Sequence, residues 1–111
     1  MATKNPKAAE ILLAQAQPGM PEPIRLSALA GLESLREPVE QGHASKLVEV
    51  VRPALKDPYY PVQEVAEELV GVYGLSQFES DIQTEAQTAP MAMQRDAAKK
   101  VLGQLHHQIS P

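Results

Sequence analysis

Apolar residues recur at three- and four-residue steps through most of the chain, and prolines and glycines fall between those periodic segments. Asn5-Pro6 supplies a capping residue followed by proline at a first helical position. Ala8, Ile11, Leu12 and Ala16 then mark one face of a first helix ending near Gln17. "QPGMPEP", Gln17 to Pro23, reads as a turn. Ile24, Ala28, Leu32 and Leu35 carry a second helix, and Leu26 and Leu29 widen its face, as a helix between two neighbours requires. "EPVEQG" ends it. Leu47, Val48, Val51 and Leu55 predict a third helix from about His43 to Lys56, kinked near Glu49 to Arg52 because Pro53 removes a backbone donor and crowds the preceding turn. Asp57-Pro58 repeats the cap-plus-proline start for a fourth helix through Val62, Val65, Ala66, Leu69 and Val72, with Gly74 as a left-handed stop. Ser76 and Glu79 form an S-x-x-E capping box for a fifth helix, whose apolar content is Phe78, Ile82 and Ala86. "TAP", Thr88 to Pro90, starts a sixth in which Met93, Ala97, Val101 and Leu105 step by four. Nothing reads as a strand, so the expected class is all-α. The chain reads as one domain, 1–111, of three helical hairpins at approximately 5–36, 43–74 and 76–108.

The second, fourth and sixth helices align with one another. "IRLSALAGLESL" from Ile24, "VQEVAEELVGVY" from Val62 and "MQRDAAKKVLGQ" from Met93 each open on an apolar residue. Each has alanine four positions on (Ala28, Ala66, Ala97) and an aliphatic residue eight positions on (Leu32, Val70, Val101), and their starts lie 38 and 31 residues apart. Alanine lets helix axes approach while larger aliphatic residues fill the space between hairpins. Gly31, Gly71 and Gly103 recur in the same helices, and since a helical glycine costs about 1 kcal/mol against alanine, tight contact is their expected reason.

These residues carry a family resemblance. The chain resembles a short HEAT-repeat protein, in particular the bacterial HEAT-like repeats of the phycobilisome-lyase type, whose second helices read approximately V-R-x-x-A-A-x-A-L-G-x-L. "DPYYPVQEVAEELVGVY" matches at the turn aspartate Asp57 and at Val62, Ala66, Val70 and Gly71, and Ile24-Arg25 matches the valine-arginine opening. The proline inside the third helix also fits, because first helices of HEAT repeats are often bent by one. Gln63 and Gln94 stand at the arginine position of the other two helices. The resemblance covers nearly the whole chain. It implies an α-solenoid, a right-handed stack of about three antiparallel hairpins with the second, fourth and sixth helices lining the concave side. It also implies an aspartate–arginine ladder between repeats.

Composition narrows the function classes. A net charge of -4 gives no general field for phosphate backbones, so no nucleic-acid partner is expected. No apolar run approaches the roughly 20 residues that cross a bilayer, and "MATKNPKAAE" lacks the apolar stretch of a signal peptide. The absence of cysteine removes disulfides, thiolate zinc sites and thiol nucleophiles. Together these lead to an expectation of a cytoplasmic protein without a membrane partner.

Candidate chemistry is sparse. His106 and His107 point about 100° apart on a helix and do not converge on one ion with His43. There is no His-Glu dipeptide of the kind used by HEAT-like diiron hydroxylases, no G-x-S-x-G and no glycine-rich phosphate loop, so neither a cofactor nor catalysis is expected. Glu64, Glu67 and Glu68 lie on one turn and read as a solvated face or a surface for a cationic partner. Arg95, Lys99 and Lys100 form a basic counterpart on the sixth helix, too thin without aromatics for nucleic acid. Tyr59 and Tyr60, between Pro58 and Pro61, sit in a rigid turn and are candidate anchors of a contact.

The expected function is therefore a noncatalytic protein-binding or scaffold module that takes a protein or peptide in the groove of its second, fourth and sixth helices. Glu64, Glu67, Glu68, Tyr59, Tyr60, Arg95 and Lys99 are the expected contact residues. Two other readings stand beside it: an accessory subunit or detached domain of a larger enzyme, such as a lyase-like system, and a structural protein that self-associates, another copy covering the ends of so short a stack.

Overall fold

The structure, a computed structural model, describes residues 6–35 and 41–109. The chain forms α1 (Pro6–Gln15), α2 (Glu22–Leu35), α3 (Gln41–Ala54), α4 (Tyr60–Tyr73), a 3-10 turn (Ser76–Phe78), α5 (Glu79–Thr88) and α6 (Ala92–Ile109), with no strand among the described residues. Consecutive helices pack as hairpins, α1 on α2, α3 on α4 and α5 on α6. Across hairpins, α4 packs against both α2 and α6, and α1 meets α3. Helix α4 is therefore enclosed on several sides, and this decides the character of its polar residues.

The core follows the helical periods. Leu13 of α1 and Ala16 just beyond it share the core with Ala28, Leu29 and Leu32 of α2, as Leu47, Val50, Val51 and Ala54 of α3 do with Val62, Ala66, Leu69 and Val70 of α4. Each fully buried leucine or valine contributes about 1.5–3 kcal/mol relative to exposure, offset largely by chain entropy. The weakly apolar fifth helix attaches through the three residues the sequence offered, Phe78, Ile82 and Ala86, all buried. The Arg52 guanidinium covers the Phe78 ring at 5.1 Å, tying α3 to the 3-10 turn.

Helix ends are closed by several devices. Gly74 takes φ 64°, ψ 42°, and Leu75 N–H returns to Val70 O at 3.0 Å, the left-handed stop the sequence predicts. Tyr73 Oη donates to Leu32 O at 2.7 Å, satisfying one of the last carbonyls of α2 and binding α4 to it. Pro53 falls one residue before the end of α3, so the intrahelical bond it forgoes, to Glu49 O, is one near the end of the helix.

Several local expectations are corrected. Helix α4 starts at Tyr60, with Tyr59 as its N-cap and Pro61 in the first turn; no side chain caps it, the Asp57 carboxylate bonding Arg25 and the Tyr59 N–H instead. The Ser76/Glu79 capping box does not form: Ser76 opens a 3-10 turn, and no side chain caps α5. Helix α6 begins at Ala92, after Thr88 has closed α5. The buried positions are Ala9 and Leu13 in α1 and Ala16 just beyond it, while Ile11 is 56% exposed. Ile24, expected on the buried face of α2, is also exposed. The repeat register of α6 is displaced by one residue. Met93 is exposed and Ala98 is fully buried with Val101 and Leu105, so Gln94, not Met93, occupies the place of Val62. Gly31 and Gly71 are close-approach positions, facing Leu12 and Gln104 respectively, but nothing lies near Gly103. The Asn5 cap and the "EPVE" part of the second turn lie outside the described residues.

Candidate functional site

Because α4 is flanked by α2 and α6, the side chains along its exposed seam line a groove between the three helices. Glu33 of α2, Glu64, Glu67, Glu68 and Val72 of α4, and Ala97, Lys100, Val101 and Gln104 of α6 enclose a cavity of about 290 Å³. Four carboxyl groups face one ammonium, and the apolar atoms collect on the Val72, Ala97 and Val101 side. A second cavity, of about 330 Å³, opens between α3, α4 and α5. Arg52, Lys56, Asp81 and Glu85 give it mixed charge, and Leu55, Phe78 and Ile82 give it an apolar floor. Glu67 lines both cavities.

Glu67 is the unusual residue. It is 2% exposed, and its Oε1 is buried with no hydrogen-bond partner. A carboxylate in that position loses its hydration without gaining a donor, which disfavours its charged form. Burial, then the charges of Glu85, Glu64 and Glu68, push its carboxyl up to about 7. Glu68 is raised to about 7 by burial, by a hydrogen bond with the Glu33 carboxyl and by the charges of Glu33 and Glu64, with Lys100 opposing. Tyr60 is raised by burial and then by Glu64, Glu67, Glu85 and Glu68, so it stays a neutral phenol beside the acidic groups.

The structure thus brings Glu64, Glu67 and Glu68 together, but not as one solvated face. Glu64 and Glu68 are half-buried at the groove, whereas Glu67 belongs to the interior, a correction caused by the neighbours on both sides of α4. Tyr59 is exposed at the α4 N-cap. Tyr60 is half-buried, with a buried and unpartnered hydroxyl. Arg95 is not part of a free basic stripe: its Nη1 donates to Ala89 O at 2.6 Å and closes the C-terminal end of α5. Lys99 is exposed and outside the groove; the basic residue that lines it is Lys100. His106 Nε2 lies 3.5 Å from Glu79 Oε2 at the surface, and the side chains of His43 and His107 are outside the described set. Among the described residues, no group of three or more histidine, aspartate and glutamate side chains is placed to hold a metal ion.

Between the first two hairpins the contact is specific. Arg25 Nη1 of α2 bonds Asp57 Oδ2 in the turn before α4 at 2.9 Å, both side chains 8% exposed. The other oxygen, Oδ1, accepts Tyr59 N–H at 2.8 Å. One aspartate thus fixes the turn and clamps the first hairpin to the second. At the equivalent place on α4, Gln63 Nε2 donates to Glu85 Oε2 of α5 at 3.2 Å, a neutral amide where α2 presents an arginine. No protein-family model matches the chain, and no curated protein or solved structure matches it.

Proposed function

We propose that this chain is a noncatalytic binding module, built as a short HEAT-like solenoid, which holds a basic segment of a protein partner in the acidic groove of α2, α4 and α6. The observation that carries the reading is the gathering of four carboxyl groups, Glu33, Glu64, Glu67 and Glu68, along one cavity between three helices. Carboxyl groups gathered in this way repel one another, and a cationic segment laid along the groove relieves that repulsion. The solenoid reading is supported by the order of packing, in which α4 lies between α2 and α6, and by the buried Arg25–Asp57 bond joining successive hairpins at the positions the family resemblance implies. Rigid stacked hairpins recognise partners by shape and charge.

Charge reversal of the rim tests this reading. Glu64→Lys/Glu68→Lys should leave helical circular dichroism unchanged and weaken binding of a lysine- and arginine-rich peptide at least about tenfold at low salt. Equal affinity in the variant would remove the groove from the binding surface.

A further inference from the structure

The cavity between α3, α4 and α5 has its charges sorted by element. Arg52 near the end of α3 and Lys56 just beyond that helix supply a cationic wall, while Asp81 and Glu85, one turn apart on α5, supply an anionic one. No ion pair joins the two walls, although all four residues are described. One charge on each wall is restrained by a further contact. The Arg52 guanidinium lies over the Phe78 ring at 5.1 Å, and among the described residues no hydrogen bond engages its N–H donors. On the other wall, Glu85 Oε2 accepts a hydrogen bond from Gln63 Nε2 at 3.2 Å.

Such a cavity selects by charge type. A lone anion is drawn by Arg52 and Lys56 and repelled by Asp81 and Glu85, and a lone cation meets the reverse, so the two walls largely cancel. A zwitterion is favoured by both at once: its anionic group can take the guanidinium fork while its cationic group takes the carboxylates. The floor of Leu55, Phe78 and Ile82 adds a preference for a hydrocarbon body. A volume of about 330 Å³ stands at the small end of ligand pockets, which run from about 300 to 1,000 Å³, and suits a molecule of amino-acid size.

We propose that this cavity binds a free α-amino acid with an apolar side chain, its carboxylate on Arg52 and Lys56, its ammonium on Asp81 and Glu85, and its side chain on Leu55, Phe78 and Ile82. The site is separate from the acidic groove and does not depend on the protein-binding reading of it. Because the ligand touches α3 of the second hairpin and α5 of the third, its binding ties the two together and raises the unfolding temperature as the site fills.

The test titrates the full chain, observed by NMR, with L-leucine and L-phenylalanine. Three truncated probes run beside them: N-acetylleucine without the ammonium, leucine amide without the carboxylate, and glycine without the apolar body. Leucine or phenylalanine should shift amide signals around the cavity in α3 and α5 saturably, and should bind at least about tenfold tighter than each truncated probe. Lys56→Gln and Asp81→Asn change exposed side chains, so both should keep the circular dichroism spectrum and weaken leucine several-fold. Arg52→Lys, which keeps the charge but loses the fork, should weaken it as well. N-acetylleucine binding as tightly as leucine would make the cavity an anion site, and leucine amide doing so would make it a cation site; either overturns the proposal. Glycine binding equally would remove the apolar floor from recognition, and a tighter leucyl-leucine dipeptide would overturn the free amino acid as ligand. No saturable shift at ~10 mM leucine or phenylalanine, shifts confined to other helices, or full affinity in both Lys56→Gln and Asp81→Asn would overturn it outright.

Discussion

Replacing Glu67 by glutamine should stabilise the protein at neutral and alkaline pH, and by an amount that depends on pH. In the folded state its carboxyl titrates at about 7, against 4.5 for an unperturbed glutamate. Below the lower value, both folded and unfolded chains hold the proton and Glu67 contributes no pH-dependent term. Between the two values the folded chain binds more protons than the unfolded one, so stability falls as pH rises. Above about 7 the full penalty is present: at ~1.4 kcal/mol per pH unit the gap corresponds to about 3 kcal/mol as an upper bound. Glutamine keeps the shape, carries no charge and places an amide donor beside Glu85 and Glu64, so Glu67→Gln should recover about 2–3 kcal/mol at pH ~8 and little at pH ~4. Urea unfolding of both proteins across this range, followed by circular dichroism, measures the difference directly. A difference independent of pH, or a wild type more stable than the variant at pH ~8, would refute the claim that a desolvated, unpaired carboxyl sits there.

Other contacts make separate predictions. Arg25→Met leaves Asp57 buried without its cation and should cost about 3 kcal/mol or more in thermal unfolding, while Arg25→Met/Asp57→Ala should recover part of that loss. Tyr73→Phe removes the bond to Leu32 O and should cost about 1 kcal/mol in urea unfolding with an unchanged circular dichroism spectrum. Gly103→Ala, where nothing lies near the added carbon, should stabilise by up to about 1 kcal/mol; Gly31→Ala should gain less or lose stability, because the new methyl meets Leu12 Cδ2 at 3.0 Å. Ala66→Glu should abolish cooperative unfolding, since Ala66 is fully enclosed within the core, and a well-folded variant would contradict the assigned face of α4.

The helices were legible because their periods and punctuation agree: proline and glycine lie between apolar segments, and Gly74 has the left-handed backbone its position requires. Faces were less legible where alternatives are nearly equivalent. Ala97 and Ala98 are adjacent, and choosing Ala97 put Met93 inside; packing chose Ala98, which brings Gln94 inward. The acidic turn of α4 shows a different limit. Periodicity places Glu67 beside Glu64 and Glu68, but only knowledge that α4 has helices on both sides shows that Glu67 is buried. A signal was available in Gln63, Glu67 and Gly71, four residues apart: a glycine continuing a polar stripe marks a closely packed face, and Gly71 faces Gln104 of α6. Asp57 misled for a related reason. Its local grammar is that of a helix cap, while its physical role is set by Arg25, 32 residues earlier, which no local rule reaches.

The central claim, that the groove holds a basic segment of a protein partner, is tested most directly by recovering the protein at native abundance from its own host. The intact assembly would be weighed by native mass spectrometry and its contacts mapped by cross-linking carboxyl groups to amines. The account predicts a stoichiometric companion whose lysines cross-link to Glu33, Glu64 or Glu68, and which is lost when Glu64→Lys/Glu68→Lys is recovered in the same way. Recovery of the free chain or its symmetric oligomer alone, or of a companion cross-linked elsewhere and retained by the variant, would contradict it.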